Sequence, residues 1–431
     1  MSTEHSTRPE ARAEHIPLAN SIAKNRETLA TLVDKAKGAD DAPEYPLNEG
    51  VAKLIGMIRE RMTSSLMPVV VEIAGGSASG KTDAVASKIR QAFGEQALIL
   101  SIDDYYRGKT YMASESAKGN TLNWDQPEAL NLDLLHQQLA QLKRGETIEK
   151  PIYCMSKSEP THTVSVAPKR VIILEGLFAL DHHLEGEGDV KAFVEIGTHG
   201  RVIRRLLRDI QRTGLKPADI LRYFSEVVQP MHDKYVQTTK KNANLVIRNE
   251  FSPEIEASRS GLHEIQMKFE GNPNLHTLHN LGARKMSTSH QTDHYYNPGD
   301  RDLIETGEIL RIRHEGGDRT LTYKGPIVIE SEFTKRAKFE FGIDVGTEIA
   351  FLGIYGDKTK TIEKERSLYL LDGVEFSVDK VSKSEGDLST PLGTFIEIRS
   401  TDSESKQAIR KVAAKLGLDP EKGIVKSYFE M

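Results

Sequence analysis

The chain has 431 residues, 38% hydrophobic and 28% charged, with a formal net charge of -5. This length exceeds one ordinary core and predicts two or three domains, while the mild negative charge gives no ground for a nucleic-acid or membrane partner. The single cysteine, Cys154, has no partner for an internal disulfide, no run reaches the roughly twenty apolar residues of a bilayer span, and residues 1–13 lack a signal-peptide core, so a reducing, cytoplasmic setting is expected.

Residues 1–18 read as a polar leader, and residues 21–37 and 51–62 as two helices separated by a stretch at 38–50, with no legible role. From residue 68 short apolar runs alternate with helical patterns. Residues 69–74, 97–102, 171–174 and 192–196 read as strands, and 82–92, 132–143 and 200–212 as helices. Such alternation predicts an α/β domain with a mostly parallel sheet covered on both faces. After about residue 257 the texture changes to short strand-like runs at 264–269, 309–313, 319–324, 338–343, 362–369, 374–381 and 394–399, several with a charge at every second position. A period of two puts those charges on one face. Closure into a barrel would make that face a lumen; the solvated face of an antiparallel sheet satisfies the same pattern equally well. The expected divisions are residues 1–62, 63–257 and 258–431.

The strongest local signal is Gly75-Gly76-Ser77-Ala78-Ser79-Gly80-Lys81-Thr82, placed between a buried strand and an amphipathic helix. Strand, glycine loop and helix in that order build an anion cradle from backbone N–H groups, with Lys81 as a mobile charge and Thr82 as a hydroxyl for Mg2+. Asp103, at the C-terminal end of the next strand, is placed to orient an acceptor hydroxyl and take its proton. Glu175, ending the strand at 171–174, suits a metal-associated role. Arg204, Arg208 and Arg212 recur at helical spacing and share a face that would either fold over phosphates or lie in solvent. In the C-terminal part, Glu264, Gln266 and Lys268 alternate on one strand and Arg311 and Arg313 on another, followed by Lys324, Lys364, Arg366, Asp379, Glu397 and Arg399. A polyphosphate with divalent cations would satisfy both signs of charge.

Residues 69–250 resemble the uridine kinase and phosphoribulokinase family of P-loop phosphotransferases. The resemblance rests on the glycine loop, Asp103-Asp104-Tyr105-Tyr106, Asn123-Trp124-Asp125-Gln126-Pro127-Glu128, Ile173-Leu174-Glu175-Gly176 and Arg208-Asp209-Ile210-Gln211-Arg212-Thr213-Gly214. It implies ATP and Mg2+ as cofactors, Asp103 as base, Arg204, Arg208 and Arg212 in a lid, and Tyr106, Asp125 and Tyr153 around a small-molecule hydroxyl acceptor. Cys154 and Ser158 stand where the family carries an aspartate and a base-recognising histidine, which puts the acceptor base in question.

Residues 260–431 resemble the CYTH, or triphosphate tunnel metalloenzyme, superfamily through Glu264-Ile265-Gln266-Met267-Lys268, Ile309-Leu310-Arg311-Ile312-Arg313, Leu321-Thr322-Tyr323-Lys324, Lys364-Glu365-Arg366, Asp379, Gly393-Thr394-Phe395-Ile396-Glu397 and Lys426-Ser427-Tyr428-Phe429-Glu430. It implies an α+β antiparallel eight-stranded tunnel, metal ligands at Glu264, Asp379 and Glu397, and polyphosphate contacts from Lys268, Arg311, Arg313, Lys324, Lys364 and Arg366. Members hydrolyse tripolyphosphate, nucleoside or thiamine triphosphates, or cyclise ATP, so the resemblance implies metal-dependent binding or hydrolysis of a tri- or pyrophosphate, with Mg2+ or Mn2+ in the tunnel. Gln266 and Arg399 replace two acidic positions, which leaves open a tunnel that recognises phosphate without hydrolysing it. Self-association through residues 220–228 and a core helix there are both open.

Overall fold

The computed structural model describes residues 42–120, 122–250, 263–299, 301–330, 332–385, 388–400 and 406–431. The helix expected at 21–37 lies outside the described residues, as does the boundary region from residue 251. No helix among the described residues is long and apolar enough to cross a membrane.

The first sheet has six parallel strands: β1 (Glu44–Pro46), β2 (Val69–Gly75), β3 (Ala97–Ser101), β6 (Val171–Glu175), β7 (Val190–Glu195) and β8 (Leu245–Arg248), in the order β1-β8-β7-β2-β6-β3. Every residue of β2 is buried, which accounts for its unbroken apolar run: helices cover both faces. The stretch read as a separator supplies β1, and the helix that follows, α1 (Leu47–Ser64), buries Val51, Leu54 and Ile58 against Val69, Val71 and Ile73. Gly50 permits this contact, because a Cβ there would sit 2.9 Å from Ile247 Cγ1. After the glycine loop a helical run, Lys81–Ala86, continues into α2 (Ser87–Phe93), and α3 (Leu132–Lys143) packs on the opposite side. A hairpin of β4 (Ile148–Cys154) and β5 (Glu159–Val166), not legible as strands in the sequence, forms a separate two-stranded sheet.

The second sheet is antiparallel and closed. Its ring runs through β9 (His263–Glu270), β14 (Phe333–Ile343), β12 (Asp318–Lys324), β11 (Ile309–Glu315), β10 (Arg284–Tyr295), β15 (Lys360–Leu371), β16 (Val374–Glu385) and β17 (Leu388–Ser400), which returns to β9. The short β13 (Val328–Glu330) pairs with β14 outside this ring. Eight strands thus close a barrel, the tunnel alternative of the two readings. Seven correspond to expected runs; the eighth, β10, was not legible.

The two sheets are joined through one apolar core. Helices α4 (Thr198–Thr213) and α5 (Pro217–Tyr223) contribute Val202, Ile203, Leu206, Ile220 and Leu221, and the adjoining turn adds Phe224 and Val228. These pack with Leu310, Ile312, Leu321, Tyr323 and Phe339 on the outer wall of the barrel, and with Phe351 and Tyr355 of α6 (Val345–Tyr355). The segment at 220–228 is therefore a core element, buried against its own chain. His199 is buried in the same seam, its Nδ1 3.2 Å from the Tyr355 hydroxyl.

Candidate functional site

Two sites follow from these sheets. The first is the glycine loop at the end of β2. Gly80 has φ 84°, and a side chain there would collide with Asn249, whose Nδ2 donates to the Ser79 carbonyl at 2.6 Å. Ala78 also adopts a positive φ of 64°, so the turn is held by its surroundings and not by glycine alone. Behind the loop, a Cβ at Gly76 would sit 2.8 Å from Arg201 and 3.0 Å from His232, so this glycine allows close packing.

Thr82 Oγ1 donates to Glu175 Oε2 at 2.8 Å, and Ser101 Oγ donates to the other carboxylate oxygen at 2.8 Å. Parallel pairing of β2, β6 and β3 brings these four oxygens of three residues to the carboxyl end of the sheet. Such hard oxygen donors fit Mg2+. Burial raises the Asp103 pKa above the ordinary carboxylate value; Lys81 and Arg208 pull against this, and Glu175 and Asp104 add to it. Asp104 has a different task, pairing with Lys150 and accepting from the Tyr153 backbone N–H at 3.3 Å, which ties the hairpin to the site.

A cavity of about 960 Å³ runs beside Gly80, Lys81 and Thr82 and is walled by Arg204, Arg208 and the segment from Glu44 to Asn48. Arg204 donates to the backbone carbonyls of Asn249 and Glu250, and Arg208 Nε donates to Asp209 at 2.7 Å. Arg212 stays exposed at the last turn and is not in this wall. Arg205, outside the expected stripe, reaches the loop itself, donating to Ser77 Oγ at 3.1 Å.

Tyr106, Trp124 and Tyr153 form an aromatic cluster with centroid separations of 5.7, 5.4 and 6.5 Å. Asp125 lies at its edge and accepts from the Tyr223 hydroxyl at 3.2 Å. Burial raises the Asp125 pKa, with Arg205 and Tyr223 opposing. Tyr223, Arg205 and Asn249 are site residues the sequence did not single out, since only folding brings them to the loop. Cys154 and Ser158 both lie in the hairpin that carries Tyr153, Cys154 at the end of β4 and Ser158 in the turn.

The second site is the barrel lumen. Strand alternation points Leu310 and Ile312 outward into the shared core while Arg311 and Arg313 face inward. Asp293 of β10 is fully buried and gathers three cations: Arg311 Nη1 at 2.7 Å, Arg313 Nε at 2.7 Å and Lys364 Nζ at 2.9 Å. Burial opposes its ionisation, yet Arg311, Lys364 and Arg313 together hold its pKa well below the ordinary value. Glu264 pairs with Lys324 and, at 2.9 Å, with Lys338. Arg366 Nε donates to Asp379 at 2.7 Å and its Nη2 to Glu397 at 2.8 Å, while Lys268 lies 3.5 Å from Glu397. All the expected lumen residues thus come together, but each of the three expected metal ligands already has a cationic partner.

One end of the lumen is apolar. Tyr295, Ile309, Ile362, Val381 and Phe395 continue the inward rows and pack with Tyr428 and Phe429 from the C-terminal segment. Tyr428 donates to Asp379 Oδ2 at 3.1 Å, and Phe429 stacks on Tyr295 at 4.8 Å.

A metal in the tunnel, implied by the fold family, fits this donor set poorly. Gln266 and Arg399 are direct cross-strand partners, so one side of the β9–β17 ladder lacks both carboxylates and gains a guanidinium. Away from both sites, Asp181, His182 and His183 bring three possible metal-ligand atoms within 4.8 Å in the kinase-like half, where Asp181 also caps a turn by accepting from the His183 N–H at 3.1 Å.

Residues 70–254 match the sequence profile of the Phosphoribulokinase / Uridine kinase family, and residues 262–428 that of the CYTH domain. The chain is similar to a uridine kinase of Bacillus pumilus (strain SAFR-032), 40% identical over 182 residues, covering 42% of this chain and 86% of that one. It is also similar to a uridine kinase of Bacillus subtilis (strain 168), 39% identical over 184 residues, covering 42% and 85%. Among solved structures it is similar to the PH1819 protein of Pyrococcus horikoshii OT3, at 30% identity and a TM-score of 0.32 over 39% of this chain and 96% of that chain. The chain therefore belongs to the phosphoribulokinase/uridine kinase family through its parallel-sheet domain and carries a CYTH triphosphate-tunnel domain fused behind it.

Proposed function

We propose that the first domain is an ATP-dependent phosphotransferase acting on a hydroxyl of a nucleoside-like small molecule, and that the tunnel binds a linear tri- or pyrophosphate. The observation that carries the first half is the cavity at the glycine loop lined by Lys81, Thr82 and Arg208, with Thr82 and Ser101 both bonded to Glu175 and Asp103 two residues beyond Ser101, beside an aromatic cluster edged by Asp125. Asp103 accepts the acceptor's proton, Lys81 and the loop N–H groups hold the β- and γ-phosphates, and Arg204, Arg205 and Arg208 offset developing charge. Mg2+ held through Thr82 and Glu175 would neutralise charge on the phosphate oxygens. Tyr106, Trp124 and Tyr153 supply stacking surface and Asp125 a sugar-hydroxyl acceptor. Similarity to uridine kinases supports a nucleoside class; Cys154 and Ser158 argue for altered base recognition, since a lost hydrogen-bond partner shifts discrimination by orders of magnitude.

The second half rests on the inward cations of the barrel. A product assay separates the centres: wild type, Lys81→Ala and Glu264→Ala are each given ATP, pyrophosphate or tripolyphosphate, with and without nucleosides. Acceptor phosphorylation lost only in Lys81→Ala supports the kinase reading. Undiminished transfer by that variant sinks it. The shared apolar core favours one second reading, in which the first domain is a nucleotide-responsive module acting on the tunnel. ATP binding with no acceptor phosphorylated, together with a change in tunnel activity, would support it.

A further inference from the structure

The tunnel's charge pattern differs from a metal site in one localised respect. On β9 and β17 the facing pairs are Lys268 with Glu397 and Gln266 with Arg399. Arg399 also lines a cavity of about 380 Å³ together with Glu264 and Lys338. Two residues from Glu397 along the same inward row and lining one cavity with Glu264, it places a guanidinium among the inward carboxylates of these strands. A divalent cation there would have to leave water for an amide, two carboxylates already neutralised by Lys324, Lys338, Arg366 and Lys268, and a fixed positive charge. The Coulomb repulsion from Arg399 is strongest where such an ion would be most dehydrated.

An anion meets the opposite situation. Asp293 clamps Arg311, Arg313 and Lys364 as a preformed cluster, and Arg399 and Lys338 line the second cavity beside Glu264. Guanidinium forks match phosphate oxygens bidentately and stay charged at all working pH values.

We propose that the tunnel grips a linear phosphoanhydride polyanion directly through its side-chain cations, with Arg399 standing in the role of the divalent metal, so that recognition needs no metal ion. This rests on the polyphosphate reading above and adds the mode of binding. Without a Lewis acid to polarise a phosphoryl group, the site is a receptor for the polyanion, not a hydrolase.

The test is a calorimetric titration of sodium tripolyphosphate into the full-length Lys81→Ala chain, in EDTA and in excess Mg2+. Heat that survives Arg311→Glu/Arg313→Glu belongs to the glycine loop and is subtracted. Expected is binding in EDTA that Mg2+ leaves unchanged or weakens by chelating the ligand, with no phosphate release. Gln266→Glu/Arg399→Glu, folded by its thermal midpoint, should bind at least tenfold more weakly in EDTA and recover with Mg2+ or Mn2+. Should that variant fail to fold, Arg399→Gln gives the same tenfold loss in EDTA. Tripolyphosphate binding by the parent only when Mg2+ is present overturns the metal-free mode and leaves the polyphosphate reading standing. No tunnel heat in either buffer overturns that reading itself.

Discussion

At the scale of single residues the kinase-like site depends on charges whose effect is set by burial. On the proposed kinase reading, Lys81→Ala removes the charge that holds the phosphates and should lower turnover at least ~100-fold, on the scale of one lost oxyanion donor. Asp103→Asn should lower it by roughly 100- to 10,000-fold, the usual contribution of a positioned base, while ATP affinity holds. Steady-state kinetics on one responsive nucleoside checks both. Burial raises the Asp103 pKa, and a base must be deprotonated, so activity should climb with pH through a value above the ordinary aspartate range. That acid limb should vanish in Asp103→Asn. A limb near the unperturbed value would mean that Asp103 is solvated in the working enzyme.

At the scale of elements, strand β10 carries the feature that most organises the tunnel. Asp293 is the shared carboxylate partner of three cations inside the barrel. Asp293→Asn leaves them facing one another, and breaking a buried ionic group by removing one partner typically costs about 3–5 kcal/mol. Thermal unfolding should show that loss in ligand-free protein. A polyanion would then replace the missing charge, so tripolyphosphate should raise the midpoint of the variant more than that of wild type. An equal rise in both would place the ligand away from Asp293.

At the scale of the whole molecule, the two sheets share one core, so they should not melt separately. Differential scanning calorimetry should give one cooperative transition that ATP and tripolyphosphate both move upward. Phe351→Ala opens a cavity in the seam and should cost about 3–5 kcal/mol of that shared stability. His199 adds a pH dependence: burial, with a contribution from Arg301, takes its pKa from 6.5 down to about 3. The unfolded chain binds this proton more readily, so stability is full above pH 6.5 and falls with acidification, by about 2 kcal/mol at pH 5 from this group alone. His199→Leu should remove that part of the acid sensitivity.

What the sequence determined by itself is what local pattern can encode. The glycine loop, the buried strand before it and the two-residue charge period each specify backbone geometry within a few residues, so the turn that carries Lys81 and Thr82 and the strand that ends at Glu175 were legible, as were seven barrel strands. Strand β10 was not, because Arg284 to Tyr295 is polar on both faces and shows no apolar alternation. Asp293 was lost with it. Only the tertiary structure decided that Arg205, Tyr223 and Asn249 meet the glycine loop, that residues 44–48 wall its cavity, and that Gln266 faces Arg399. These depend on pairing between segments far apart in the chain, and whether an alternating charge faces a lumen or solvent is settled only when the first and last strands of a sheet find each other.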